Sequence, residues 1–138
     1  DLDLRGTELA VLSACETGLG KVDAGEGVYG LKRALVLAGA RTQAVTLWKV
    51  SDDATQALMN AYYRRLQKGE DRVQAMRHVQ LDMLAGRLTA GTDTATERKL
   101  VLINAGDTPA PATTADWRHP YYWAAFTVSG ADGPLTLR

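Results

Sequence analysis

The order of hydrophobic periods in the amino-terminal part of the chain constrains the fold more than any other feature. Leu9-Ala10-Val11-Leu12 is a short apolar run between Gly6 and the segment Gly18-Leu19-Gly20, the pattern of a buried strand. From Glu26 the period turns helical, with Val28, Leu31, Leu35 and Ala38 on one stripe and Gly39 placed to end the helix in a left-handed conformation. Gln43 to Trp48 is again β-branched and apolar. Strand, helix and strand in that order favour a parallel pair joined by a right-handed crossover, so the fold class is α/β.

The remainder adds helices and one more strand. Ser51 is a candidate cap for a helix with Asp52 and Asp53 in its first turn, where the backbone dipole favours carboxylates. Ala54, Leu58, Tyr62 and Leu66 supply its apolar stripe, and Gly69 ends it. A second helix is expected over Glu70 to Ala85, burying Val73, Met76, Met83 and Leu84 and closing at Gly86. Residues 89–96 are polar, 97–105 fit strand or helix, and 108–114 are rich in Pro, Ala and Thr; residues 87–118 read as a variable surface excursion. Tyr121 to Val128 is strongly β-favouring and stops at Gly130, as one more strand of the sheet.

Composition removes several functions. The 138 residues are 46% hydrophobic and 23% charged, as for one globular domain. Sixteen basic residues balance sixteen acidic ones, leaving no excess positive charge to hold a nucleic-acid backbone. No apolar run approaches the roughly 18 residues that span a bilayer, so no membrane segment is expected. The single cysteine, Cys15, cannot form an internal disulfide, which points to a reducing, cytoplasmic setting. The chain opens at Asp1 without a methionine and enters a strand pattern almost at once, as expected of part of a longer protein.

Two phosphate-loop patterns compete for the glycine-rich segment. A Walker A loop fails twice, because Cys15 stands at its first glycine position and Val22 at its Ser/Thr position. Gly25, Gly27 and Gly30 form a GxGxxG with Asp52 beyond, but about ten residues separate Gly25 from the strand end near Cys15, and Glu26 sets a negative charge where a pyrophosphate would sit. Dinucleotide binding is therefore the weakest reading, and no cofactor or metal is expected.

Cys15 is the most informative position. A free cysteine at a strand end is commonly a small buried hydrophobe. In open α/β sheets, however, ligands gather outside the carboxyl ends of the strands, and a thiol there, followed by a glycine-rich loop, can act as a nucleophile with its own amide facing an oxyanion. It needs a base. His78 falls within a predicted helix, as a partly exposed or satisfied side chain, and His119 precedes Pro120, where it more plausibly shapes a loop. A caspase-type histidine lies about fifty residues upstream of its cysteine, and only fourteen residues precede Cys15 here.

Leu12-Ser13-Ala14-Cys15-Glu16-Thr17-Gly18 resembles the CHAT domain, a caspase-like family related to separase and often attached to TPR repeats. Further blocks follow in the family's order: Gly25-Glu26-Gly27 with Gly30-Leu31, Ala38-Gly39-Ala40, Leu47 to Thr55, and His119-Pro120 with Trp123 to Phe126. The resemblance implies a caspase-like three-layer sandwich, a mostly parallel sheet flanked by helices, of which this chain is the carboxyl-terminal portion. It implies a cysteine endopeptidase in which Cys15 is the nucleophile, Gly18 supports the loop and the oxyanion site, and the histidine lies upstream. Trp48, Asp52 and Asp53 correspond to a possible substrate pocket; in separase-like relatives an acidic residue near that block goes with a basic residue before the cut, and here Lys49 replaces one acidic position while Asp52 and Asp53 remain. The bland reading of Asp52 and Asp53 is charge at a helix start, and that of Trp48 and Trp123 is core. The implied partners are a protein or peptide substrate and TPR-like regulatory domains. From another class, an inactive caspase-like interaction scaffold is the competing function, and the isolated chain is expected to be inactive in either case.

Overall fold

Parallel strands require a crossover of a dozen or more residues, and the chain supplies it where the periodicity changes. The computed structural model describes residues 2–12, 24–88 and 116–136. In it β1 (Ala10–Leu12) lies parallel to β2 (Thr42–Thr46), with Ala10 opposite Gln43 and Leu12 opposite Val45. Between them runs α1 (Ala24–Ala38), which ends at Gly39 with φ +103°. The amides of Gly39 and Ala40 return to the carbonyls of Val36 and Leu35, the local closure a left-handed glycine permits. Leu35 is buried and Ala38 half-buried, whereas Leu31, expected on the same stripe, is exposed.

On the other side of β2 lies β3 (Phe126–Gly130), antiparallel, with Thr46 opposite Phe126 and Thr42 opposite Gly130. Helix and strand are thus mixed around a small three-stranded sheet, as an α/β class requires, with one described strand pair parallel and one antiparallel. All five residues of the central strand β2 are buried. Its polar side chains are satisfied internally: Gln43 donates to the carbonyl of Ala40 at 2.8 Å and Thr42 to that of Ala131 at 2.8 Å. Gly130, at φ +113°, could not carry a side chain, since a Cβ would lie 2.3 Å from the carbonyl oxygen of Arg41.

The strand expected over Tyr121 to Val128 is two elements. Pro120–Trp123 is a short helix, α4, and the strand starts only at Phe126. Pro120 occupies the first helical turn and the His119 side chain accepts a hydrogen bond from the Tyr121 amide, so capping overrides the β propensity of Tyr121, Tyr122 and Trp123.

Helices α2 (Asp52–Gln67) and α3 (Arg72–Leu84) pack together as the main core. The stripe Ala54, Leu58, Tyr62 and Leu66 is buried as its spacing predicts. In α3 the buried face runs through Arg72, Ala75, Met76, Val79 and Met83. Val73 and Leu84, expected inside, are exposed because each stands one residue, and so about 100° of rotation, beyond a buried position. Ser51 makes no side-chain cap to α2, while Asp71 caps α3 by accepting from the amides of Val73 and Gln74. Phe126 and the half-buried Val128 join the core of α2 and α3, and the intervening Thr127 turns the other way to accept from Lys32 of α1 at 3.0 Å. Of the segment 87–118, residues 89–115 lie outside the described residues; at its ends Leu88 packs against the core and Trp117 is buried in it.

A buried arginine ties the amino end of the sheet to α3. Arg72 is 2% exposed; its guanidinium donates to Thr42 Oγ1 at 2.7 Å, to the Glu8 carboxylate and to the Pro134 carbonyl at 3.2 Å. Glu8 also pairs with Arg41 at 2.9 Å, and that contact, with Arg72, holds its carboxyl below the usual range. The Asp71 carboxylate accepts from the Gly133 amide, and the Arg72 amide donates to the Gly133 carbonyl at 3.1 Å, so residues 131–134 are clamped beside β2. Backbone donors from Gln74, Gly133 and Val73 lower the Asp71 pKa. A carboxylate depressed by folding stabilises the protein above its unfolded pKa, about 4, and that contribution is lost as pH falls through the folded value. Thermal melts between neutral and strongly acidic pH should therefore show a falling Tm below about pH 4. Asp71→Asn, which keeps a capping oxygen, should flatten that decline; an unchanged slope would count against the assignment.

Tyr62 is fully buried and its hydroxyl has no hydrogen-bond partner among the described residues. Burial pushes its phenol up to about 12. Tyr62→Phe removes an unpaired polar group and keeps the ring, so we expect stability to be unchanged or raised by up to about 1 kcal/mol in urea unfolding. A loss of more than about 1 kcal/mol would reveal a partner for the hydroxyl.

Candidate functional site

Because β1 and β2 are parallel, their carboxyl ends open on one edge of the sheet, with Leu12 level with Val45. The chain leaves β1 there toward Cys15 and Gly18, both of which lie outside the described residues. It leaves β2 through Leu47, Trp48 and Lys49 before Val50 turns back into the core. Open sheets collect ligands at such an edge, where side chains and backbone groups are not consumed by the ladder.

The β2 exit is joined to α4. The Trp48 indole N–H donates to the Tyr121 carbonyl at 2.9 Å, and the Tyr121 hydroxyl donates to the Lys49 carbonyl at 2.8 Å. The two rings stand 6.5 Å apart with a 30° tilt, and Tyr122 meets Tyr121 edge-on at 5.3 Å. Trp48 is 37% exposed, so the reading of it as core is corrected: it sits where β2 has already left the sheet, and its ring lies over α4. Trp123 is half-buried, packed against the core, with its indole N–H on the Arg118 carbonyl at 3.0 Å. Asp52 and Asp53 are exposed in the first turn of α2, three and four residues beyond Lys49.

Neither histidine is poised beside a nucleophile among the described residues. His119 Nδ1 accepts from the Tyr121 amide at 3.2 Å and so caps α4, as the loop-shaping reading expected. Beside it Arg118 grips Asp116 through two 2.7 Å hydrogen bonds, which hold the Asp116 carboxyl down to about 2. His78 touches the Glu70 carboxylate within an ionic network in which Arg65 bridges Glu70 and Asp82, so it is the satisfied helix side chain its sequence context suggested.

Gly25, Gly27 and Gly30 all fall inside α1, which begins at Ala24 rather than Glu26. The GxGxxG pattern is therefore helix throughout and supplies no glycine turn ahead of the helix, the part of a dinucleotide site that approaches the pyrophosphate. Among the described residues no three His, Cys, Asp or Glu side chains cluster to hold a metal, and no helix is long and apolar enough to cross a membrane. Sequence reasoning missed the pairing of Trp48 with Tyr121. The available signal was His119-Pro120, a helix start that turns the following aromatics out of a strand.

Comparison with known proteins places these features in a family. The chain is 30% identical over 135 residues, 97% of its length, to mouse (Mus musculus) tetratricopeptide repeat protein 28, of which the match spans only 4%. No solved structure matches it significantly. The family model of the CHAT domain matches residues 1–131, a range that takes in the blocks from Leu12 to Phe126. The chain belongs to the CHAT domain family.

Proposed function

We propose that this CHAT domain is the nucleophile-bearing part of a caspase-like cysteine endopeptidase, with Cys15 attacking the peptide bond. The observation that carries the reading is the parallel β1–β2 pair, whose carboxyl edge is where open sheets collect ligands; in sequence Cys15 follows Leu12, the last residue of β1, by three positions. The Cys15 thiolate adds to the carbonyl carbon, and the oxyanion is held by backbone N–H groups that include its own, with the loop at Gly18 in support. The tetrahedral species collapses to a thioester as the C–N bond breaks, and the departing amine takes its proton from a histidine. Water then cleaves the thioester and frees the thiol. Following the family resemblance, we assign the histidine to a segment upstream of Asp1; His78 meets Glu70 and His119 caps α4, each through Nδ1.

A caspase-like three-layer arrangement is consistent with the alternation of Thr127 toward α1 and of Phe126 and Val128 toward α2 and α3. Trp48, with Asp52 and Asp53, would border the substrate. The relative's name as a tetratricopeptide repeat protein supports regulation by TPR-like domains in a longer protein. The test is labelling of the full-length protein by a thiol-reactive peptide electrophile. Labelling that disappears in Cys15→Ala supports the peptidase; absence of labelling and cleavage under any activating condition leaves the interaction scaffold.

A further inference from the structure

At the exit of β2 two aromatic rings stand bare while their polar ends are already used. Trp48 is 37% and Tyr121 48% exposed. The indole N–H is taken by the Tyr121 carbonyl and the phenol by the Lys49 carbonyl, across 73 and 72 residues of sequence. The Tyr121 amide is held in turn by His119 Nδ1 at 3.2 Å. Exposed side chains ordinarily exchange rotamers freely. These two are pinned, and rigid aromatics with free ring surface lose little entropy when something packs on them, the property that concentrates binding energy in such residues.

We infer that Trp48 and Tyr121 form a fixed aromatic wall at the carboxyl edge of the sheet that receives an apolar, flat side chain of a bound peptide, with Tyr121 the positioning residue for Trp48. The inference deepens the peptidase reading and rests on it for the peptide nature of the ligand. The class of side chain follows from what the rings have left, since the indole donor and the phenol are spent internally and carbon surface remains. Leu47, the residue before Trp48, is itself 38% exposed. The exposed carboxylates Asp52 and Asp53 are the groups that would instead select a cationic side chain.

The test uses the full-length protein as Cys15→Ala, so that binding is read without covalent chemistry. Trp48 emission is isolated by subtracting the spectrum of the same protein with Trp48→Phe. Acetylated tripeptide amides of two alanines followed by phenylalanine, arginine or aspartate are then titrated. The phenylalanine peptide should shift Trp48 emission and bind about fivefold more tightly than the arginine peptide, the scale of one aromatic contact. Tyr121→Ala and, independently, Trp48→Leu should erase that preference. Tyr121→Phe, which keeps the ring but loses the bond to Lys49, should retain it while weakening the near-ultraviolet dichroism of Trp48. Equal binding of the three peptides, or tighter arginine binding that is lost on replacing Asp52 and Asp53, overturns the inference. Should Cys15 resist labelling while the phenylalanine preference persists, the peptidase reading falls and the aromatic wall stands; labelling without the preference has the opposite meaning.

Discussion

Cys15→Ala in the full-length protein should reduce peptide cleavage by at least about a thousandfold, because in the proposed mechanism this residue forms the covalent intermediate and an alanine side chain carries no nucleophile. Cys15→Ser should fall almost as far, since a serine hydroxyl is a far weaker nucleophile with a histidine arranged for a thiol. Both substitutions are small, so melting temperature should change little, and that separates lost chemistry from lost fold. The isolated 138-residue chain should be inactive even with Cys15 intact. Reading initial rates on a peptide mixture for the wild type, both variants and the isolated chain checks the set. Activity that survives Cys15→Ala would remove the nucleophile from the proposal, and activity in the isolated chain would return the search for a base to His119 and His78.

Arg72→Ala should cost about 3 kcal/mol of stability, the lower end for breaking a buried charge network. The figure sits at that end because two of the three partners keep a second contact: Glu8 retains Arg41, and Thr42 still donates to the Ala131 carbonyl. What is lost is the guanidinium that joins β1, β2 and residues 131–134 to the start of α3. Arg72→Met, which fills the volume without a charge, should cost about half as much or less, since an apolar isostere spares the desolvation of the ion. Urea unfolding midpoints for the two variants test this ordering. Equal losses would show that volume is irrelevant there, and an Arg72→Ala loss below about 0.5 kcal/mol, the scale of ordinary surface substitutions, would show that the network is passive.

The elements legible along the chain are those whose signals are local. The stripe Ala54, Leu58, Tyr62 and Leu66 repeats every four residues and is buried as written, and Gly39, Gly69 and Gly86 end their helices with positive φ. Where two local signals compete, the stronger constraint decides. Tyr121 to Trp123 have strand propensity, but Pro120 and the His119 cap commit them to a helix turn. The family, too, was legible, because its blocks are short stretches of neighbouring residues in a set order, and the match over residues 1–131 agrees with them.

The candidate site was legible only in part. Cys15 stands out because a strand end and a glycine-rich loop flank it in sequence, and Trp48, Asp52 and Asp53 because they share one block. Tyr121 does not, because its relation to Trp48 exists only when the end of β2 meets α4. Arg72 reads as an ordinary charged residue at a helix start, yet it is buried.

Periodicity, propensity and capping act between residues a few positions apart, so the chain alone determines that strand, crossover helix and strand come first. Contacts between distant segments depend on how helices dock on the sheet, and no local pattern encodes that docking. It decides that β3 runs antiparallel to β2, that an arginine lies inside, and that a tryptophan expected in the core instead faces outward, held by a tyrosine 73 residues away.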